Sequence, residues 1–423
     1  MSYPVDPSIT GQQREVRYSY WPVNFAMGNL TVISNVSLPL SGVAYSKAMR
    51  EVGELRATLQ LADDSVRSLY PWDKIIPRKT AIVVVREQQD PVSSDWVAQA
   101  MDSYTVYVAP SDPETGRQSI VAHSTPEAQW ARRLITKGMS WVAQDQTVIA
   151  ADLCDPAKFS LIPLGANPWP GYVTVDPPTV MTGVLRNHSY DEGQETNLLE
   201  AHQARSQLAT NSYEWTTGLR ILSGASAVSA QSFRPVYVMG YPQLGRRRSS
   251  GFPMPILTYD TGGTGNVTTL KVNRDGTAVP NIVWGRGDGY EDLQVKAQIS
   301  NIDQYGKAEW EYGYLQSEER FSNPDVSNVN TLADHMYKLM WDRLGSERYL
   351  ASVRVRGDLP PYFGSYVVGD DILLRTNDRT WPPDWYIDGW MYLPGRIYGW
   401  TVAPPQGDQH EAIDLLVGGG LPV

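Results

Sequence analysis

The residues able to do chemistry are few in this 423-residue sequence, and their spacing works against most catalytic constellations. An aspartic-protease site needs two carboxylates sharing one proton. Asp260-Thr261-Gly262 supplies one, no second Asp-Thr/Ser-Gly occurs, and a glycine-rich turn is expected there instead. The five histidines, His123, His188, His202, His335 and His410, are dispersed; none forms a His-x-x-x-His pair or stands beside the single cysteine, Cys154. One cysteine excludes an internal disulfide and every zinc site that needs two thiolates from the chain. Neither Gly-x-x-x-x-Gly-Lys-Ser/Thr nor Gly-x-Ser-x-Gly is present, and Gly263-Thr264-Gly265 lacks the third glycine of a dinucleotide turn. No catalytic residue, cofactor or metal site is expected.

Three weaker signals remain. Glu309-Trp310-Glu311 and Asp384-Trp385-Tyr386 set acids beside aromatics; in a strand, Glu309 and Glu311 share a face around Trp310, which defines a rival reading as a carbohydrate-active β protein. The 14 Trp and 24 Tyr against 6 Phe suit sugar-stacking platforms and, equally, surfaces buried in assembly. Arg246-Arg247-Arg248 is a basic cluster in an acidic chain and a candidate contact for an acidic partner. Arg286-Gly287-Asp288 and Arg356-Gly357-Asp358 match an adhesion tripeptide, but Gly-Asp is ordinary turn chemistry.

The elements that must position these residues are mostly strands. Lys and Arg number 36 and Asp and Glu 46, a net charge of 36 − 46 = −10, which repels phosphate and argues against general nucleic-acid binding. At 42% hydrophobic and 19% charged the chain should fold, and no apolar run is long enough to span a bilayer. Met1 to Pro7 lacks the basic start and apolar core of a secretory signal, so synthesis in the cytoplasm is expected and the four Asn-x-Ser/Thr triplets carry no meaning. Between 35 Gly and 30 Pro lie short alternating segments. Glu54 to Leu61 alternates strictly, Ala81 to Val85 is continuously apolar, and Tyr104 to Val108 continues the pattern before a Pro/Asp/Gly turn. Ser124-Thr125-Pro126-Glu127 starts a helix of about fifteen residues. Pro163 to Pro178 reads as an extended connection, and 197–208 as a helix with Leu198, Leu199, His202, Arg205 and Leu208 on one face. Strands resume from 236, interrupted by a helix at 330–344, where Leu332, Met336, Leu339, Met340 and Leu344 form a stripe and Gly345 stands at the cap position. The fold class is mainly β with a few helices.

In order, several segments resemble the minor tail proteins of phages infecting actinobacteria, which are similar to the central baseplate hub proteins of other tailed phages. These are Val52 to Leu59, Tyr213-Glu214-Trp215-Thr216, Tyr241-Pro242-Gln243-Leu244-Gly245-Arg246, Gly265-Asn266-Val267, the 332–344 helix, and Gly364 with Val368-Gly369-Asp370-Asp371. The resemblance spans roughly residues 28 to 417. It implies two tail-tube-like β-barrels, at 1–125 and 236–423, with a mixed helical and loop segment at 126–235. It further implies a homotrimeric hub at the virion tail tip, in contact with the distal tail protein, the tape measure protein and other baseplate proteins, that caps or adapts the tube and gates the DNA channel during genome ejection. DNA then meets the chain only in transit, past an acidic lumen. The nearest rival is a sixfold distal-tail or tube protein. With Gly418 to Val423 directly after the last strand pattern, lytic and receptor-binding work is expected to belong to other proteins, and an isolated monomer is expected to associate through exposed strand edges.

Overall fold

The computed structural model describes residues 13–26, 29–34, 36–70, 74–90, 93–161, 173–176, 181–193, 196–206, 213–222, 232–241, 243–247, 254–273, 279–290, 293–302, 307–313, 315–324, 326–348, 350–381, 383–407 and 409–418. At 48% strand and 16% helix it is mainly β, as the alternating segments predict.

Strands β1 (Val16–Ala26), β2 (Asn29–Val32), β3 (Leu40–Ala48) and β4 (Glu54–Gln60) open the chain. In β4 Leu55, Ala57 and Leu59 are buried and Arg56 is exposed, the consequence of period two with one face on the core. Helix α1 (Asp64–Leu69) is capped by Asp63, which accepts the Ser65 N–H at 2.8 Å. Strand β5 (Thr80–Gln89) holds the Ala81 to Val85 run, buried throughout because both of its faces are covered. With β6 (Trp96–Val108), β7 (Ser111–Asp112) and β8 (Arg117–Ser124) it builds the antiparallel order β1-β5-β6-β8-β4-β3.

Helix α2 begins where expected but covers only Thr125–Trp130. Ser124 does not cap it, because its hydroxyl accepts the Gly53 N–H at 2.9 Å, and the chain turns into β9 (Met139–Asp145) instead of continuing. Helices α3 (Gln146–Leu153) and α4 (Pro156–Phe159) follow. Most of the extended connection at 163–178 lies outside the described residues, but Thr174–Asp176 forms β10, parallel to the later strand Ser232–Gly240. Strand β11 (Leu185–Tyr190) pairs with β9, and α5 (Leu198–Ser206) buries Leu198, Leu199, Ala201 and His202; Leu208 lies outside the described residues. The hairpin β12 (Glu214–Ile221) and β13 (Ser232–Gly240) joins the first strands where Phe233 stands opposite Leu30 of β2.

Strands β14 (Ile256–Tyr259) and β15 (Val267–Asn273) precede a small separate sheet of β16 (Ile282–Arg286), β17 (Lys296–Ser300) and β18 (Glu318–Ser322), in the order β17-β16-β18. Helix α6 (Val329–Arg348) lies across it, burying Leu332, Met336 and Met340 against Val283 and Ile299. It runs through Gly345 rather than ending there. Gly285 permits the close approach, since a Cβ would collide with the Met336 sulfur. The chain ends in β19 (Leu350–Arg356), β20 (Asp371–Thr376), β21 (Met391–Ala403) and β22 (Ala412–Gly418).

Closure differs from the expectation of two barrels. Strand β3 gives its second edge to β21, with Tyr45 opposite Val402, and β2 pairs with β13, so the strands merge into one sheet of 17. The C-terminal strands follow the order β14-β20-β21-β22-β19-β15, but β15 meets β14 at the single pair Tyr259 and Val267, which is a seam rather than a ladder. One core therefore draws side chains from both halves: Tyr45, Leu55, Ile82 and Tyr104 pack with Ile372, Leu393, Trp400 and Val417.

Candidate assembly junction

Three of the segments that carry the sequence resemblance, 213–216, 241–246 and 364–371, meet in space although up to about 160 residues separate them. Glu214, at the start of β12, accepts the Leu244 N–H at 2.8 Å and a hydrogen bond from the Arg396 guanidinium of β21. Arg396 also donates to the Leu244 carbonyl at 3.1 Å and lies 3.6 Å from Asp371, while Arg50 stands 3.7 Å from the other Glu214 oxygen. Asp370 Oδ1 accepts the Arg246 N–H at 2.6 Å, and its Oδ2 takes Val367 N–H at 3.0 Å and Arg246 Nη2 at 3.1 Å. Asp371 returns its own N–H to the Arg246 carbonyl at 2.9 Å. Arg50, Arg246 and Arg396 thus face Glu214, Asp370 and Asp371, a neutral network that fastens the middle segment to the C-terminal strands.

Glycine makes this packing feasible. Gly245 has φ +75°, and a Cβ there would stand 2.6 Å from Asp370 Oδ1 and 2.8 Å from its backbone nitrogen. Gly369, at φ +97°, brings its backbone against Leu244.

A second polar knot surrounds a buried ion pair. Arg86, immediately after the apolar run of β5, forms a two-pronged pair with Glu411, Nε and Nη2 each at 2.8 Å from a carboxylate oxygen, and also donates to the Gly357 carbonyl at 3.2 Å and Gln88 Oε1 at 2.8 Å. Tyr18 donates to Glu411, and Tyr45 to Tyr18 at 3.1 Å. Burial pushes the Tyr18 phenol well above its ordinary pKa, aided by the nearby Tyr45 and Glu411, so it stays a neutral donor. Nearby, Lys47 pairs with Asp102 at 2.9 Å, and Glu127 accepts a hydrogen bond from Thr217. Burial, then the charge of Asp102, raises the Glu127 carboxyl to about 7, with Lys47 opposing.

Arg246 is tied to Asp370 and Ser365 but its side chain is 39% exposed, so part of the guanidinium faces outward. Arg247 donates to the Tyr241 carbonyl, and Arg248 lies outside the described residues. Glu309 and Glu311 are not in a strand: Glu309–Tyr312 is a 3₁₀ turn, whose three-residue repeat puts i and i+2 on different sides. Glu309 accepts from Asn301 and Glu311 from the Ala308 N–H at 3.0 Å, so the shared acidic face of the carbohydrate reading is not formed. Asp260 fixes a turn through Gly262 N–H at 2.9 Å and Asn377 at 2.6 Å. Arg356 is occupied by Asp358 at 2.7 Å, and Gly287 sits in the β16–β17 turn. Among the described residues no group of His, Cys, Asp and Glu is arranged to hold a metal ion. Sequence reasoning missed Arg86 and Glu411; the only local signal was a charge ending an apolar run.

No protein-family model matches the chain, and no curated protein matches it in sequence. Solved structures do match its fold from end to end. It resembles a tail protein from Neisseria meningitidis MC58, with TM-score 0.54, 11% identity and coverage of 94% of this chain and 96% of that one. The 43 kDa tail protein of prophage MuSo2 from Shewanella oneidensis gives TM-score 0.50, 12% identity, and coverage of 94% and 98%. A chain of the Francisella PdpA-VgrG complex gives TM-score 0.50 at 9% identity, with 96% of this chain covering 58% of that one. The fold is that of phage tail proteins, shared with this VgrG-type assembly.

Proposed function

We propose that the chain is a structural protein of a phage tail tip: a homotrimeric baseplate hub that caps or adapts the tail tube and gates the DNA channel during ejection. A shared fold alone does not carry a function. The observation favouring a hub over a one-element tube protein is the β3–β21 weld, which joins strands from both ends of the sequence around one core. If 1–125 and 236–423 each act as a tube-like unit, with 126–235 between them, three chains present six such units to a sixfold tube. The actinobacterial affinity rests on the order of short motifs, three of which converge on the Glu214–Arg246–Asp370 junction.

Distal tail, tape measure and other baseplate proteins are the expected neighbours, and the outward part of Arg246, with Arg247 and Arg248, is a proposed contact for an acidic one. The excess of ten acidic charges suits a conduit that must not retard DNA; a strongly positive lumen in the assembled ring would defeat that element. No described helix is long and apolar enough to cross a membrane. Immunogold labelling of intact particles tests the reading: gold confined to the tail tip supports it, label along the tube favours the sixfold rival, and unlabelled particles overturn it.

A further inference from the structure

The small β17-β16-β18 sheet is sealed on one face by α6, and its other face is open. Register orders that open face: Gln298, Trp284 and Arg320 lie side by side across the strands, and in the next row Lys296 stands directly opposite Arg286. A groove of about 690 Å³ runs over them. Trp284 is 46% exposed, with its indole N–H held by Glu318 at 2.9 Å. Glu319, the groove's other acid, stands opposite Val283, whose side chain belongs to the core beneath α6. Among the described residues Arg286, Lys296 and Arg320 make no ion pair. Like charges directly opposite one another in an antiparallel pair are destabilising, so the fold carries a repulsion here that an incoming carboxylate removes. Large apolar side chains frame the face: Tyr290 and Leu293 in the β16–β17 turn are 83% and 89% exposed, and Leu315 ahead of β18 is 90% exposed. An exposed tryptophan among arginines with an apolar frame is the composition of a protein interface rather than of an ordinary solvated surface.

The matching carboxylates are on the chain itself. The turn after β4 and the turn between β7 and β8 are held together by the Ala62 N–H to the Gly116 carbonyl at 2.9 Å, and they carry Asp63, Asp64, Asp112 and Glu114 at one exposed edge, against Arg67 and Arg117. Asp63 and Asp112 fix their own turns through Ser65 and Glu114 N–H groups, leaving Asp64, salt-bridged to Arg67, and Glu114 as the outward charges. We propose that the Trp284 face of one copy docks on this acidic edge of a second copy, a head-to-tail contact of the kind that closes rings. The inference rests on the proposed oligomer and names its surface.

The test is sedimentation of the purified full chain at low salt, with far-UV circular dichroism confirming that each variant folds. Wild type should associate. Arg286→Glu with Lys296→Glu should weaken association at least tenfold, as should Asp64→Lys with Glu114→Lys, and all four together should restore it because the charges are exchanged. Trp284→Ala should weaken it independently of salt. A wild-type chain that stays monomeric at every concentration overturns both the trimer and this contact. A wild-type trimer unaffected by either charge reversal, or a fourfold variant that does not regain association, overturns the contact alone and gives the face to a carboxylate-bearing protein other than this chain.

Discussion

His202 packs among Trp130, Tyr237 and Trp215, with ring centroids at 4.5, 5.1 and 5.8 Å, and neither of its ring nitrogens has a hydrogen-bond partner among the described residues. Burial, with Arg205 adding repulsion, lowers its pKa from 6.5 to about 3. Between those values the unfolded chain binds a proton that the native state refuses, so stability from this group is complete above pH 6.5 and is lost as pH falls toward 3. His202→Phe keeps a ring and removes the titration; urea midpoints against pH should flatten in that window, with a change at pH 7 of less than about 1.5 kcal/mol. Glu127 works the other way. Its pKa rises from 4.5 to about 7, so the native state retains a proton that the unfolded chain releases, and stability is lost as pH rises through that interval. Glu127→Gln keeps an acceptor for Thr217, and its advantage over wild type should grow by about 3 kcal/mol between pH 4 and pH 8 in the same measurement. Neither residue was legible as a titrating group in the sequence. His202 read as one member of a helical face, and Glu127 as a helix-start residue, because burial depends on partners that arrive from distant strands.

Elements were readable where their signal is local. Alternation in β4, the apolar run of β5 and the methionine stripe of α6 each state a period, and each formed. Lengths were less readable: α2 stopped after six residues, the chain going on to β9, and α6 passed its glycine. The choice of edge partner was not readable at all, since β3 could not announce β21, nor Arg86 a carboxylate 325 residues away. The Arg86–Glu411 pair should behave as one unit. Arg86→Met or Glu411→Leu alone leaves a buried group uncompensated and should cost roughly 3–5 kcal/mol, whereas the two together should cost less than the sum, as a double-mutant cycle in urea would show. At the junction, Gly245→Ala places a methyl against Asp370 in a left-handed backbone and should cost about 2 kcal/mol or more. Asp370→Asn, which weakens the Arg246 bonds without crowding, should cost about 1.5 kcal/mol, and thermal melts of both variants separate crowding from lost charge.

At the scale of the whole molecule, unfinished edges point to assembly. Among the described residues β17 and β18 each pair on one side only, so the purified protein should associate at high concentration against the mutual repulsion of its ten excess acidic charges; a stable monomer under all conditions would count against this. Mainly β architecture was legible from composition and punctuation, and the resemblance pointed to a tail protein, a fold that end-to-end structural similarity supports. The fusion of both β regions into one sheet was not, because it is a property of long-range pairing. We propose that three copies of this body form the ring that ends the tail tube, and cryo-electron microscopy of the tail tip, reconstructed without imposed symmetry, is the decisive experiment. The expected result is one threefold ring at the tip into which three copies of the 17-stranded fold can be placed, each welded through β3 and β21. Six copies per layer repeating along the tube, or a tip whose density accommodates no copy of this fold, would contradict it.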